Sequence, residues 1–211
     1  MTKSVLLALS LCLLGCAAFP PGQPVPLLDG TSLAGWRILD ELDFEGAGAV
    51  VIDGEERAVV LGAGVPMTGI AWTGSIPRDG YEISLEAKRI EGGDFFCGMT
   101  FPVGEEYCSL IIGGWGGSVV GLSNVDGYDA SDNETTSGQG FEQDRWYAIK
   151  LRVTAAKIQA WIDDDRVIAL DRPGRHFEIW IQQEPARPLG IATYYTKAAL
   201  RNIVVERLTS S

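Results

Sequence analysis

The stretch GYEISLEAKRI, from Gly80 to Ile90, alternates apolar and polar residues almost without a break. Its apolar positions are Ile83, Leu85 and Ala87, and its polar positions are Glu82, Ser84, Glu86 and Lys88. Successive side chains of a strand point to opposite faces of a sheet, so this period of two predicts a strand with one buried face and one solvated face.

The same alternation recurs along the chain, with turn signals about every eight to twelve residues. It is found in AVVIDGEERAVVLG (49–62), WYAIKLRVT (146–154), KIQAWID (157–163), HFEIWIQ (176–182) and ALRNIVVERL (199–208). No window of twelve or more residues shows a convincing helical period. The sequence therefore predicts an all-β domain, a sandwich or a barrel.

A hairpin is predicted from DFFCGMTFPVGEEYCSLII (94–112), with its turn at residues 101–104. Pairing the apolar faces of the two strands places Cys97 opposite Cys108. An exported pair of this kind invites a disulfide, and two packed thiols on the core face would give the same sequence pattern.

Length and charge limit the number of domains and the kinds of partner. Residues 27–211 form a segment of 185 residues, enough for one well-buried core and short for two domains. The chain carries a net charge of −11, and an acidic surface repels nucleic acid, so we expect no nucleic-acid partner.

The N-terminus predicts export. Lys3, the apolar run 5–14 and the sequence LLGC (13–16) are typical of a bacterial lipoprotein signal over residues 1–15, with Cys16 as the lipidated residue. Ordinary secretion with cleavage nearby is the alternative. Residues 16–26 are interpreted as the lipidated cysteine and a proline-rich tether, so the protein is expected to be held at the cell envelope by acyl groups.

Two tryptophans stand among polar residues on the predicted outward faces of the strands. This set comprises Glu86, Lys88, Lys150, Arg152, Gln159, Trp161, Glu178, Trp180 and Gln182. A sugar ring has one apolar face and a polar rim, so a flat aromatic beside hydrogen-bonding groups suits it. Packing of each tryptophan at a sheet edge is the other interpretation.

Four stretches resemble the 3-keto-disaccharide hydrolase-like domains, lectin-like sandwiches of exported bacterial proteins. They are LLDGTSLAGWRI (27–38), YEISLEAKRIEGGDFFCGMTF (81–101), DRWYAIKLRVTAAKIQAWIDDDRV (144–167) and RPLGIATYYTKAALRNIVVERL (187–208). The resemblance implies a concanavalin-like jelly roll of two antiparallel sheets, spanning 27–211 as one domain, with the ligand on a concave face.

The resemblance also implies chemistry on sugars oxidised at C3. The ketone acidifies the C2 proton, a base removes it, the glycosidic oxygen leaves C1, and water adds back. A divalent metal that polarises the ketone is implied as a cofactor. This chain departs from the family pattern at Asp94, where an asparagine is typical, and at Cys108 and ATYYT (192–196), where an acid and a histidine are common.

The acidic run NVDGYDASDNETT (124–136) has three interpretations. Asp126, Asp129, Asp132 and Glu134 could bind a metal, although their spacing differs from that of an EF-hand loop. They could form a solvated turn, or the segment could contact a sugar with Trp115 and Tyr128 as platforms.

Candidate catalytic residues are Glu86, Glu178, Asp94 and His176. Glu86 and Glu178 are the preferred bases, because a rigid strand can hold a carboxylate near a substrate. Asp94 is otherwise a turn residue, and His176 a surface histidine. Candidate sugar-contacting residues are Trp161, Trp180, Trp115, Tyr128, Lys88, Lys150 and Gln182.

The leading hypothesis is thus an exported lipoprotein that cleaves glycosides of 3-keto sugars, with an oligosaccharide or glycoside as its partner. A catalytically silent glycan-binding module and a structural surface protein are the alternatives.

Overall fold

A computed structural model describes residues 19–209 of the chain. The predicted signal segment and the lipidation site Cys16 lie outside these residues. The strands are β1 (Pro24–Pro26), β2 (Trp36–Leu39), β3 (Val50–Asp53), β4 (Ala58–Leu61), β5 (Met67–Trp72), β6 (Tyr81–Gly92), β7 (Cys97–Val103), β8 (Glu106–Gly114), β9 (Val119–Ser123), β10 (Ser137–Gly138), β11 (Tyr147–Val153), β12 (Lys157–Ile162), β13 (Asp165–Asp171), β14 (Gly190–Tyr194) and β15 (Thr196–Arg207).

These strands form two antiparallel sheets. An eight-stranded sheet has the order β13-β12-β11-β6-β15-β4-β3, with β1 also paired to β15, and a seven-stranded sheet has the order β10-β9-β8-β7-β14-β5-β2. One short 3₁₀ helix, Ile181–Ala186, precedes β14. The predicted all-β, two-sheet antiparallel sandwich is confirmed. No helix within residues 19–209 has the length and apolar character needed to cross a membrane.

The main core lies between the two sheets. Alternate residues of the eight-stranded sheet, such as Ile83, Leu85 and Leu151, pack against Met99 and Leu110 of the seven-stranded sheet, and all five are buried. These are the apolar positions of the period-two pattern, because the pleat points every second side chain inward.

The two sheets differ in how their outer faces are covered. Strands β6, β11 and β12 alternate between buried and partly exposed residues, whereas β7 is buried throughout and β8 is buried from Cys108 to Gly114. A second apolar cluster lies on the outer face of the seven-stranded sheet; it includes Phe44, Phe95, Ile111, Ala130, Ala186 and Ala192. The clustered residues Phe44, Ala130 and Ala186 belong to connecting segments, so these segments cover that face.

The 94–112 hairpin forms, but its predicted register is wrong. The chain reverses at Gly104 and Glu105, where Gly104 has φ 60°, the left-handed conformation that a two-residue hairpin loop requires. Cys97 therefore pairs with Ile112, and Cys108 pairs with Phe101. The two cysteines are offset by four residues along the sheet, roughly 13 Å.

The predicted disulfide is consequently absent. Cys97 and Cys108 are both buried free thiols on the core side. Burial raises the pKa of Cys97 to about 12 and raises that of Cys108 further. The alternative interpretation, two packed thiols, describes them correctly.

Two further expectations differ from the structure. Residues 176–182 form no strand; Phe177 makes an isolated β-bridge with Val125, residues 178–180 are irregular, and the 3₁₀ helix begins at Ile181. The predicted tether is part of the sandwich from Phe19 onward, since Phe19 is buried and β1 pairs with β15 at Val25 and Val205. Two prolines in β1 are tolerated because it is a three-residue edge strand.

Candidate functional site

A cavity of about 220 Å³ opens on the outer face of the seven-stranded sheet. Its lining comes from the β6–β7 connection, from β8 and β9 and the turn between them, from the segment around the 3₁₀ helix, and from β14. The lining residues are Asp94, Phe95, Ile111, Trp115, Ser123, Trp180, Gln183 and Tyr194. Sequentially distant segments meet here because β7, β8 and β14 are neighbours in the sheet.

Aromatic rings form much of the cavity wall. The rings of Phe95 and Tyr194 are stacked with centroids 5.5 Å apart, and Trp180 lies 6.4 Å from Tyr194. Trp115 and Trp180 remain 43% and 41% exposed, so both can contact a ligand that enters from solvent. A wall of this kind matches the apolar face of a sugar ring.

Asp94 is the one carboxylate among these lining residues of the described chain. Its Oδ1 accepts a hydrogen bond from the Phe95 backbone N–H at 2.7 Å, and its Oδ2 accepts one from the Gly116 N–H at 3.3 Å. The Asp94 N–H donates to Thr196 Oγ1 at 3.0 Å. Backbone groups therefore fix the Asp94 side chain at the cavity wall.

Arg89 holds together the two segments that carry Asp94 and Trp115. Its Nη2 donates to the backbone carbonyls of Asp94 at 3.2 Å, Gly113 at 3.2 Å and Gly117 at 3.0 Å. The residue is only 5% exposed. A single buried guanidinium thus sets the position of the β8–β9 turn relative to Asp94.

The environment of Arg89 is largely apolar. The guanidinium lies over Phe96, 5.2 Å from the ring centroid, and 6.0 Å from the centroid of Phe141. Desolvation lowers the pKa of Arg89, and the negative charge of Asp94 opposes this shift. Arg89 is thus a buried cation whose charge interacts with that of Asp94.

The acidic run forms no metal site. Arg175 pairs with Asp126 at 2.6 Å and with Glu134, while Asp129 accepts hydrogen bonds from the N–H and hydroxyl groups of Ser131. The backbone N–H of His176 and the side chain of Arg175 lower the pKa of Asp126. Of the predicted set Asp126, Asp129, Asp132 and Glu134, two acids are held by the same arginine. The metal prediction is therefore wrong, and the solvated-turn interpretation fits the structure.

A divalent metal fits none of the described residues. Across residues 19–209, no group of three or more histidine, cysteine, aspartate or glutamate side chains is arranged to bind a metal ion.

Glu86, Lys88, Lys150 and Trp161 lie on the outer face of the eight-stranded sheet, on the other side of the sandwich from the cavity. Glu86 accepts hydrogen bonds from Arg201 at 2.9 Å and Asn202 at 2.6 Å. The Arg201 hydrogen bond is the largest cause that lowers the pKa of Glu86, and burial opposes it. A carboxylate stabilised in this way is a weaker base than a free one.

Cations already cover the aromatic rings of this face. Lys150 and Arg152 lie 4.6 and 5.5 Å from the ring centroid of Trp161. Lys88 forms an ion pair with Glu56 at 2.7 Å and lies 5.0 Å from the ring centroid of Trp146. Trp161 therefore belongs to a cation–aromatic cluster separate from Trp180.

The other predicted residues are also outside the cavity. Glu178 lines a second, polar depression of about 420 Å³ with Glu105, Glu106, Tyr107, Phe177, Ile179, Glu184 and Arg187. The side chain of His176 is 82% exposed, with Nδ1 3.4 Å from Glu106 Oε1. Tyr128 and Gln182 are exposed. Of the predicted site residues, the cavity brings together only Asp94, Trp115 and Trp180.

Five cavity residues were not predicted: Phe95, Ile111, Ser123, Gln183 and Tyr194. Gln183 was missed because the predicted strand over 176–182 placed Gln182 on the outward face. Phe95 was missed because the apolar residues of the predicted hairpin were expected to face the core. The ATYYT sequence did mark Tyr194 as a place where this chain departs from its relatives.

The sequence matches the family model of the 3-keto-alpha-glucoside-1,2-lyase-like domain over residues 23–206. The chain belongs to this family. Membership places it among carbohydrate-active sandwich proteins, and the match extends over both sheets. No curated protein matches the sequence significantly.

Solved structures share the fold at low sequence identity. The carbohydrate-binding module CBM66 of Bacillus subtilis is 13% identical with a TM-score of 0.51, covering 82% of this chain and 95% of that one. A Bacillus subtilis protein with a galectin-like fold is 13% identical with a TM-score of 0.60, covering 90% and 97%. The Crh5 transglycosylase in complex with NAG is 10% identical with a TM-score of 0.57, covering 89% and 84%.

Proposed function

We propose that this protein cleaves glycosides of 3-keto sugars in the aromatic cavity, with Asp94 as the base. The observation that supports the proposal is the placement of one carboxylate, fixed by two backbone N–H groups, in a wall otherwise rich in aromatic rings. Rigid placement of a base near the reacting carbon is what proton abstraction requires.

The reaction balances without an added oxidant or reductant. A ketone at C3 acidifies the proton on C2, and the Asp94 carboxylate accepts that proton. The C2–H electron pair moves onto the ketone oxygen and forms an enolate. The pair then forms the C1=C2 double bond as the bond from C1 to the glycosidic oxygen breaks, and the leaving oxygen takes a proton. Water then adds across the double bond, with its oxygen on C1 and a proton on C2, and gives the free 3-keto sugar.

The proposal assigns the base to Asp94 in preference to Glu86 and Glu178. Glu86 lies on the opposite face of the sandwich and is bound by Arg201 and Asn202. Glu178 lines the separate acidic depression. Neither carboxylate is among the residues that line the aromatic cavity.

Turnover of a 3-keto disaccharide tests this assignment. We expect Asp94→Asn to lower kcat by about 100-fold or more, because a positioned general base contributes roughly that much. Glu86→Gln serves as the control and should leave kcat unchanged. Full turnover by Asp94→Asn, with or without EDTA, would show that Asp94 is not the base.

A non-catalytic glycan-binding module is the second candidate. It is favoured by the neutral character of the other polar groups in the cavity, Gln183 and Ser123, and by the likeness to a carbohydrate-binding module. The absence of product from a 3-keto disaccharide, together with binding to unmodified sugars on a glycan array, would favour this candidate.

We also propose that the protein is exported and carries acyl groups on Cys16, on the basis of the LLGC sequence. Metabolic labelling with a radioactive fatty acid should mark the full chain and fail to mark Cys16→Ser. Equal labelling of both would contradict lipidation at this residue.

A further inference from the structure

Gln183 is the most completely buried of the polar residues that line the aromatic cavity. It is 1% exposed, and its Nε2 atom has no hydrogen-bond partner among residues 19–209. Buried side-chain amides nearly always have a partner, because an unpartnered one loses its hydrogen bonds to water without replacement. The chain therefore keeps, at the cavity wall, a polar group that weakens the folded state.

The backbone around Gln183 is well anchored. Its own N–H donates to the carbonyl of Trp180 at 2.8 Å, and Arg37 Nη2 donates to the carbonyl of Pro185 at 3.1 Å. Ala186, at the end of the same 3₁₀ helix, is fully buried. The position of Gln183 is thus fixed by its element, while the amide itself remains unpaired.

Gly98 of β7 makes room for this side chain. A Cβ at position 98 would lie 3.1 Å from Gln183 Nε2 and 2.8 Å from the ring of Phe95. A larger residue would compete with the amide for the same space.

We propose that the Gln183 amide donates a hydrogen bond to the C3 ketone oxygen of the sugar bound in the cavity. This inference rests on the proposed function. A ketone oxygen has no proton and needs a donor, and the amide N–H supplies one. Removal of the C2 proton moves negative charge onto the ketone oxygen, so a fixed donor at this point stabilises the transition state more than the bound substrate.

A structural role and a ligand-binding role of the Gln183 amide predict opposite effects of Gln183→Met on the melting temperature. If the amide serves the ligand, Gln183→Met removes an unsatisfied polar group, keeps the unbranched shape, and should leave the melting temperature unchanged or raise it. If the amide were satisfied within the fold, the same change would lower the melting temperature. Gln182→Met is the matched control, because its neighbour Gln182 is exposed.

Binding is measured with a 3-keto C-glycoside, whose carbon–carbon link at C1 cannot be eliminated, so affinity is separated from turnover. We expect Gln183→Met to weaken binding about tenfold, the size of one hydrogen bond. It should lower kcat on a 3-keto disaccharide about 100-fold, the loss typical of an oxyanion donor. Gln183→Glu, which keeps the shape and loses the N–H donors, should show the same defects.

The role of Gln183 and the proposed function can fail independently. Turnover and binding equal to wild type in Gln183→Met, or a lowered melting temperature with unchanged affinity, would overturn the role of Gln183 and leave the proposed function standing. Failure of the wild-type protein to bind the 3-keto C-glycoside would overturn both. Loss of turnover in Asp94→Asn with binding retained, together with the Gln183→Met defects, supports both.

Discussion

Glu86 illustrates how an outward carboxylate on a strand becomes part of an ion pair. Its side chain is bound by Arg201 and Asn202, both from β15, which pairs with β6. The same β15 pairing that builds the sheet therefore brings these partners to the carboxylate. Glu86 therefore has a structural role on the polar, solvent-facing side of the sheet.

The Glu86 ion pair predicts a pH dependence of stability. The folded state lowers the pKa of Glu86 below its ordinary value of 4.5, so the stabilisation is present above that value and is lost as the pH falls through the folded pKa. We expect Glu86→Gln to lower the free energy of unfolding by up to about 1 kcal/mol near neutral pH, because the pair is partly exposed.

Thermal unfolding of wild type and Glu86→Gln at a series of pH values checks this expectation. The difference between the two proteins should shrink below pH 4.5 and vanish in strong acid. Glu91→Gln, on the same strand but exposed, is the control and should show little difference at any pH. A stability gap that persists in strong acid would contradict the assigned cause.

At the scale of elements, the β8–β9 turn is defined by glycines with different roles. Gly113 has φ 77°, and a Cβ there would lie 2.5 Å from Arg89 Nη2. Gly116 has φ 85°, and a Cβ there would meet nothing within 4 Å. Both positions favour glycine for backbone reasons, and only Gly113 is also needed for the close approach of Arg89.

This difference predicts unequal costs for two alanine substitutions. Gly116→Ala should destabilise the protein by about 1–2 kcal/mol, the cost of a left-handed non-glycine residue. Gly113→Ala should cost at least about 1 kcal/mol more, because Arg89 must also give up hydrogen bonds to buried carbonyls. Denaturant-induced unfolding measures both values, and equal values would mean that Arg89 moves aside freely.

The alternating sequence of residues 176–182 predicted a strand that the structure does not contain. Phe177, Ile179 and Ile181 alternate with polar residues, yet the segment forms no strand, and only Phe177 of these three is buried. Phe177 makes one isolated β-bridge, to Val125, and the pairing does not extend into a strand. The 3₁₀ helix that follows places Gln183 at the cavity wall and leaves Gln182, the residue predicted to contact a sugar, exposed.

At the scale of the whole molecule, the sandwich separates two aromatic surfaces. Trp161 lies on the outer face of the eight-stranded sheet beneath Lys150 and Arg152, and Trp180 lines the cavity on the seven-stranded sheet. Trp161 and Trp180 therefore cannot contact one sugar ring together.

This separation predicts that, of Trp161 and Trp180, only Trp180 affects ligand binding. Trp180→Ala should weaken binding of a 3-keto disaccharide about tenfold or more, as expected for a tryptophan at the centre of a binding site. Trp161→Ala should leave the affinity unchanged. Isothermal titration with Asp94→Asn as the background avoids turnover, and a loss of affinity in Trp161→Ala would place a ligand on the other sheet.

The sequence by itself determined that the chain is all-β, because side-chain alternation is a local property and reports directly on which face of a strand is buried. The two-sheet antiparallel sandwich followed from the resemblance of four stretches to a known family. Only the tertiary structure decided that β7 and β8 are covered on both faces, that Cys97 and Cys108 do not meet, and that Asp94, Gln183, Trp115 and Trp180 share one cavity. These contacts join segments up to about one hundred residues apart, and their geometry depends on strand order and on the path of irregular connections, neither of which leaves a periodic signal in the sequence.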